Sequence, residues 1–248
     1  MLIVDSLVKS YGGLLAIDEL SFQVNQGIIH AVIGPNGAGK TTLINQLSGE
    51  IKPDSGNVLF DGINISGMDV HLRATLGLAR SFQITNIFLD LTAHDNVALA
   101  VQAHSGHSFK FWKDARKDND LRQPALVYLQ QVGLENRAEV VAGQLSHGEH
   151  RQLEIAMALA TRPKLLLLDE PMAGMGPKES IAMVEILQEL KGELTILLIE
   201  HDMDVVFTLA DKITVLVNGK DVATGSTEEI RNNPEVKAAY LGEDTTDA

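Results

Sequence analysis

The chain has 248 residues, 45% of them hydrophobic, enough for one large domain or a domain carrying an inserted subdomain around a core that needs no covalent staples. It contains no cysteine, which excludes disulfides, thiolate metal sites and thiol redox chemistry. With 20 basic and 33 acidic residues its net charge is −13, which disfavours nucleic acid and anionic lipid as partners.

In the opening "MLIVDSLVKSYGG", Asp5 interrupts the apolar run before a signal-peptide core forms, so secretion is not expected. The runs "LIVDSLVKS", "LLAIDELSFQV", "GIIHAVIG" and "GNVLFDG" are rich in β-branched residues and punctuated by Gly and Asp-Gly turns. They predict strands, with one helix over Thr41–Ser48. From Ile84 to Thr161 the strand signal is gone. Thr92 with Asp95 predicts a helix over Thr92–His104, a second follows over Asp114–Val132, and a third over Ser146–Thr161. In this stretch Ile84, Ile87 and Phe88 of "QITNIFLD" fit either a core or a partner contact, and "FKFW" at Phe109–Trp112 is ambiguous in the same way.

Strands return with "KLLLLDE" and "LTILLIEH", apolar without alternation, as in strands covered on both faces of a parallel sheet. The longest apolar runs, Leu165–Leu168 and Ile196–Ile199, fall far short of the roughly 20 residues of a spanning helix, so a soluble protein is expected. Pro177 opens a helix over Pro177–Lys191 that Gly192 closes, "ITVLVNGKDVATG" turns as a hairpin at Asn218-Gly219, and two short helices follow, capped by Ser226 and begun at Pro234. The pattern is an α/β core interrupted by an all-helical insertion, a single domain over 1–248 in which 1–85 and 160–248 form the core and 86–159 the insertion.

Three stretches carry chemistry. "GPNGAGKT" has the spacing of a phosphate loop, with an apolar strand (Ile28–Ile33) running in and a helix leaving. Gly34, Pro35, Asn36, Gly37, Ala38, Gly39, Lys40, Thr41 and the following Thr42 are the candidate ATP-binding residues. Backbone N–H groups freed by the glycines face the phosphates, Lys40 supplies a point charge, and the Thr41 hydroxyl ligates Mg²⁺. "LLLLDE" places Asp169 to hold Mg²⁺ through water and Glu170 to reach an attacking water, at the end of a buried strand where an α/β sheet forms its ligand crevice. "LSHGEH", 145–150, spaces Ser146 and Glu149 as a capping box. That box is a sufficient structural reason for both residues, while Gly148 adds the possibility of close backbone approach.

The phosphate loop, "SFQ" with Gln83, "LSHGE" ahead of "RQLEIAMALA", "LLLLDE" and "IEHD" with His201, in that order, resemble the ATP-binding cassette (ABC) family over nearly the whole chain. The resemblance implies a P-loop NTPase (RecA-like) core with an N-terminal antiparallel β subdomain and an inserted all-helical signature subdomain. It implies that Tyr11 stacks on adenine, that Gln83 touches Mg²⁺ or water, and that His201 contacts the γ-phosphate and helps orient the catalytic water. It further implies that Ser146, His147, Gly148 and Glu149 form a signature closing over ATP held by a second ABC ATPase, identical or paralogous. Three positions depart from the usual pattern. His147 stands where Gly is usual, Glu149 where Gln is common, and Gly176 where an aspartate often communicates across the dimer. By themselves the seven histidines other than His201 read as structural, including His30 in its strand and His147 in the signature.

"YGGLLAIDELSFQVNQGIIHAVIGPNGAGKTTLINQLSG", "DEPMAGMGP" and "EEIRNNPEVKAAYLGED" look most like the ATP-binding subunits of branched-chain amino acid importers. That likeness implies transmembrane permease subunits, a periplasmic or extracellular substrate-binding protein, and a place on the cytoplasmic face of the membrane; no nucleic-acid partner is expected, on the ground of the net charge. Two rival readings are a non-transport cassette ATPase acting in repair or translation and an ATP sensor without turnover. The single cassette with its modest insertion and the net charge oppose the first, and intact Glu170 and His201 oppose the second.

Overall fold

Alternation builds the first sheet. Strand β1 (Leu2–Tyr11) turns Leu2, Val4 and Leu7 inward, and β2 (Leu14–Val24) does the same with Ile17, Leu20, Phe22 and Val24. Both are antiparallel neighbours, and with β4 (Ser55–Phe60) and β5 (Ile63–Asn64) they give the order β2-β1-β4-β5. The computed structural model describes residues 1–81, 87–105 and 118–241.

The second sheet follows from the unalternating runs. Every residue of β3 (Ile29–Ile33), β7 (Leu165–Asp169) and β8 (Thr195–Ile199) is buried, and the three lie parallel with β8 in the middle. Strand β9 (Lys212–Val217) lies parallel to the other side of β3 and turns through Asn218 and Gly219, both at positive φ, into antiparallel β10 (Lys220–Gly225). A short strand, β6 (Leu78–Arg80), begins at the far edge, completing the order β10-β9-β3-β8-β7-β6.

Helix α1 (Lys40–Ser48) buries Leu43, Ile44 and Leu47 in one cluster with Leu7, Ile17 and Leu20 of the antiparallel sheet and Leu167 and Leu197 of the parallel one. On the opposite face Ala31, Ile33, Ile213 and Val215 pack with Val206 of α7 (Met203–Leu209), Ile230 of α8 (Thr227–Asn232) and Val236 of α9 (Pro234–Leu241). Helices therefore cover both faces of the parallel sheet, as its apolar strands require.

Residues 1–78, 165–170 and 190–248 form one compact unit, and 79–164 with 171–189 form a second. The second unit is helical. It contains α3 (Ala93–Ser105), α4 (Asn119–Gln131), α5 (His147–Ala160) and α6 (Pro177–Leu190) as far as Glu189. Thr92 caps α3 through the Asp95 N–H as its spacing predicts, and Arg122 of α4 reaches Asp95 at 3.1 Å and Glu139 at 2.9 Å. Ile87 is buried and Phe88 exposed, while Ile84 and Phe109–Trp112 lie outside the described residues. The helix predicted from Asp114 is described from Asn119, with Asp118 as its N-cap.

Helices α2 (Val70–Leu76) and α7 and the short strands β5 and β6 carry no signal in the sequence reading. The organiser of α2 is Arg73, fully buried, whose guanidinium donates to Gln46 O at 2.7 Å and Leu47 O at 2.8 Å at the end of α1. An arginine in a short polar stretch reads as solvated surface. Its role as a buried cap is visible only once the two helix ends meet, and burial lowers its pKa to about 10, still charged at neutral pH.

Candidate nucleotide site

The parallel register sets Val32 opposite Ile199, and Ile199 opposite Asp169. With neighbouring strands about 4.8 Å apart, the phosphate loop that follows β3 and the carboxylates that end β7 lie roughly 10 Å apart at the carboxyl ends of the strands, with His201 after β8 between them.

Three features hold the loop. A Cβ on Gly34 would collide with Leu216 O, and one on Gly39 with Ala16 O, so both positions require glycine. From the β9–β10 turn, the Gly219 N–H donates to Ala38 O at 2.9 Å, and Gly219 O accepts from the Asp18 N–H at 2.9 Å. Lys40 is only 8% exposed, and its ammonium donates to Gly34 O at 2.5 Å and Pro35 O at 2.9 Å, which draws the loop around the charge.

The same features fit a triphosphate. Gly39, left-handed at φ 105°, is the N-cap of α1 and offers no side-chain cap to the helix N–H groups, while Gly37, at φ 77°, faces open space. Asn36, Gly37 and Thr41 are exposed at the mouth. Asp169, 5% exposed, and the Thr41 hydroxyl are hard oxygen donors of the kind that suits Mg²⁺, an ion that keeps several of its waters.

Glu170 closes β7 in a left-handed turn at φ 47°, and its N–H continues the ladder to Ile199 O at 2.9 Å. Its carboxylate is 3.8 Å from His201 Nδ1, which is equally distant from the buried Glu200, so the exposed imidazole sits beside two carboxylates without a short hydrogen bond to either. The Glu200 carboxylate accepts the His201 backbone N–H at 3.1 Å and so fixes the loop that presents the ring. Tyr11 ends β1 at 46% exposure, with Lys9 Nζ 5.7 Å from its ring centroid. Lys40, Thr41, Asp169, Glu170, His201 and Tyr11 thus all belong to the first unit.

The signature stretch belongs to the second unit. Ser146 and Glu149 complete the predicted capping box, with the Ser146 Oγ accepting the Glu149 N–H at 3.2 Å and Glu149 Oε2 accepting the Ser146 N–H at 2.8 Å. Burial pushes the Glu149 carboxyl up, but the Ser146 N–H and Arg137, whose Nε donates at 2.8 Å, outweigh it and hold the carboxyl below its ordinary range. His147 is 3.1 Å, through Nε2, from Ala173 O. Gln83 lies outside the described residues. Sequence reasoning missed Gly219, Arg137 and Glu179, whose carboxylate accepts the Gly176 N–H at 3.0 Å and the Ser146 hydroxyl at 3.3 Å. Each acts on a stretch distant in sequence, and only the Asn-Gly turn signal pointed toward any of them.

The family model described as ABC transporter matches residues 17–173, and one for branched-chain amino acid ATP-binding cassette transporters matches 222–246. The high-affinity branched-chain amino acid transport ATP-binding protein BraF of Pseudomonas aeruginosa is 39% identical over 247 residues, covering 97% of each chain. The chain belongs to the ABC transporter family. It is an ABC ATPase, in which ATP hydrolysis is coupled to transport. Among solved structures, the ADP conformation of an ABC transporter cassette aligns with a TM-score of 0.85 at 31% identity over 98% of each chain. A dimeric post-hydrolysis cassette bound to ADP and phosphate aligns at 0.77 and 25% identity, over 92% of this chain and 99% of that one. No helix among the described residues of this ABC ATPase is long and apolar enough to cross a membrane.

Proposed function

We propose that this chain powers uptake of branched-chain amino acids or related polar small molecules, on the cytoplasmic face of the membrane. It works beneath permease subunits that receive cargo from a periplasmic or extracellular binding protein. The names of its relatives support the cargo class. The observation that carries the ATPase reading is the register of β3, β8 and β7, whose carboxyl ends lead into the stretches carrying an ammonium, two carboxylates and an imidazole.

In this reading the loop N–H groups and Lys40 bind the β- and γ-phosphates, and the ring of Tyr11 carries adenine. Thr41, Asp169 through water, and Gln83 would hold Mg²⁺, which would supply neutralisation of the phosphate charge. Glu170 orients the attacking water and takes its proton as the bond from the γ-phosphorus to the β–γ bridging oxygen breaks, while His201 steadies the γ-phosphate. Ser146, His147, Gly148 and Glu149 meet the nucleotide of a second cassette, identical or paralogous; the pairing of two cassettes is supported by the dimeric relative holding ADP and phosphate.

The test is steady-state ATP turnover of the wild type beside Glu170→Gln. The proposal expects turnover in the wild type and a loss of about 10²–10⁴-fold in the variant, the range for removing a positioned general base. Equal and negligible rates in both would mark an ATP sensor.

A further inference from the structure

The start of α5 already touches a carboxylate. Glu179, in the first turn of α6, accepts the Ser146 hydroxyl at 3.3 Å through Oε1 and the Gly176 N–H at 3.0 Å through Oε2. A Cβ on Gly148 would lie 2.6 Å from Glu179 Cδ, so the space over that glycine is filled by this side chain. The carboxylate therefore sits where the N-termini of two 14-residue helices converge, each favouring negative charge.

From this geometry we infer that Glu179 is an autoinhibitory stand-in for the partner cassette's nucleotide phosphate, occupying the signature until that phosphate displaces it. The inference rests on the reading of Ser146 and Gly148 as phosphate contacts given under the proposed function. A serine hydroxyl has one hydrogen, and here it is spent on Glu179. A phosphate entering over Gly148 would also meet a like charge. Displacement leaves the carboxylate a partner, because the Gly176 N–H lies at the start of its own helix. Nothing in the sequence marks the pairing, since Ser146 and Glu179 are 33 residues apart.

The test uses the full chain in the Glu170→Gln background, together with the ATPase subunit it pairs with, and reads the ATP concentration that gives half-maximal dimer by light scattering. Glu179→Gln keeps the shape of the side chain and removes its charge, and Glu179→Ala clears the space. Both are expected to lower the ATP requirement about fivefold, the scale of one charge at a helix end. Glu185→Gln, an exposed carboxylate further along the same helix, is expected to leave it unchanged. An unchanged or higher ATP requirement in both Glu179 variants overturns the inference, as does an equal drop with Glu185→Gln. Ser146→Arg separates the two readings. If it blocks dimer formation while the Glu179 variants change nothing, only the stand-in role falls. If it has no effect, the signature reading falls and the stand-in role with it.

Discussion

Lys40 shows how much a single charge carries. Its ammonium is bonded to two loop carbonyls in the structure, so it shapes the cradle as well as charging it. Lys40→Ala removes a charge-assisted contact worth about 1.5–3 kcal/mol, and titration with ATP should show affinity lower by roughly tenfold to a hundredfold. His30 matters for stability. Its ring is fully buried, with Nε2 2.8 Å from Thr214 Oγ1 and Nδ1 without a hydrogen-bond partner among the described residues, and burial, helped by Lys212, lowers its pKa to about 4. As pH falls below 6.5 the unfolded chain takes up a proton that the folded chain refuses until about pH 4. Stability is therefore full above 6.5 and lost progressively toward 4, by an amount on the order of 2–3 kcal/mol. Urea unfolding at pH 7 and 4.5 checks this, since His30→Leu should flatten the pH dependence relative to wild type.

The elements divide according to whether their cause is local. Buried strands β3, β7 and β8, the phosphate loop, the box at Ser146 and the turn at Asn218-Gly219 were legible because each rests on a run, a cap or a turn within a few residues. Helix α2 was not, because Arg73 makes its defining contacts with carbonyls 26 and 27 residues away. The same limit hid the support of Ala38 by Gly219, and of Glu149 by Arg137. At the candidate site the residue types were readable, whereas their neighbours depended on strand order. Gly39 joins the two levels, since its left-handed conformation and its approach to Ala16 O both forbid a side chain. Gly39→Ala should lower the thermal midpoint and weaken ATP binding together. A variant of wild-type stability and affinity would contradict that account.

For the whole molecule, the phosphate cradle lies in one compact unit and the capped start of α5 in the other. A net charge of −13 opposes self-association until something joins two copies. Sandwiched triphosphate, gripped by the loop of one cassette and the signature of another, is the proposed bond. The direct measurement is the mass of the Glu170→Gln protein, mixed with its paired subunit, in saturating ATP and Mg²⁺. The account predicts a stable dimer, whose ATP requirement rises roughly tenfold to a hundredfold when Lys40→Ala is added to both cassettes. Monomers under those conditions, with ATP demonstrably bound, would contradict it.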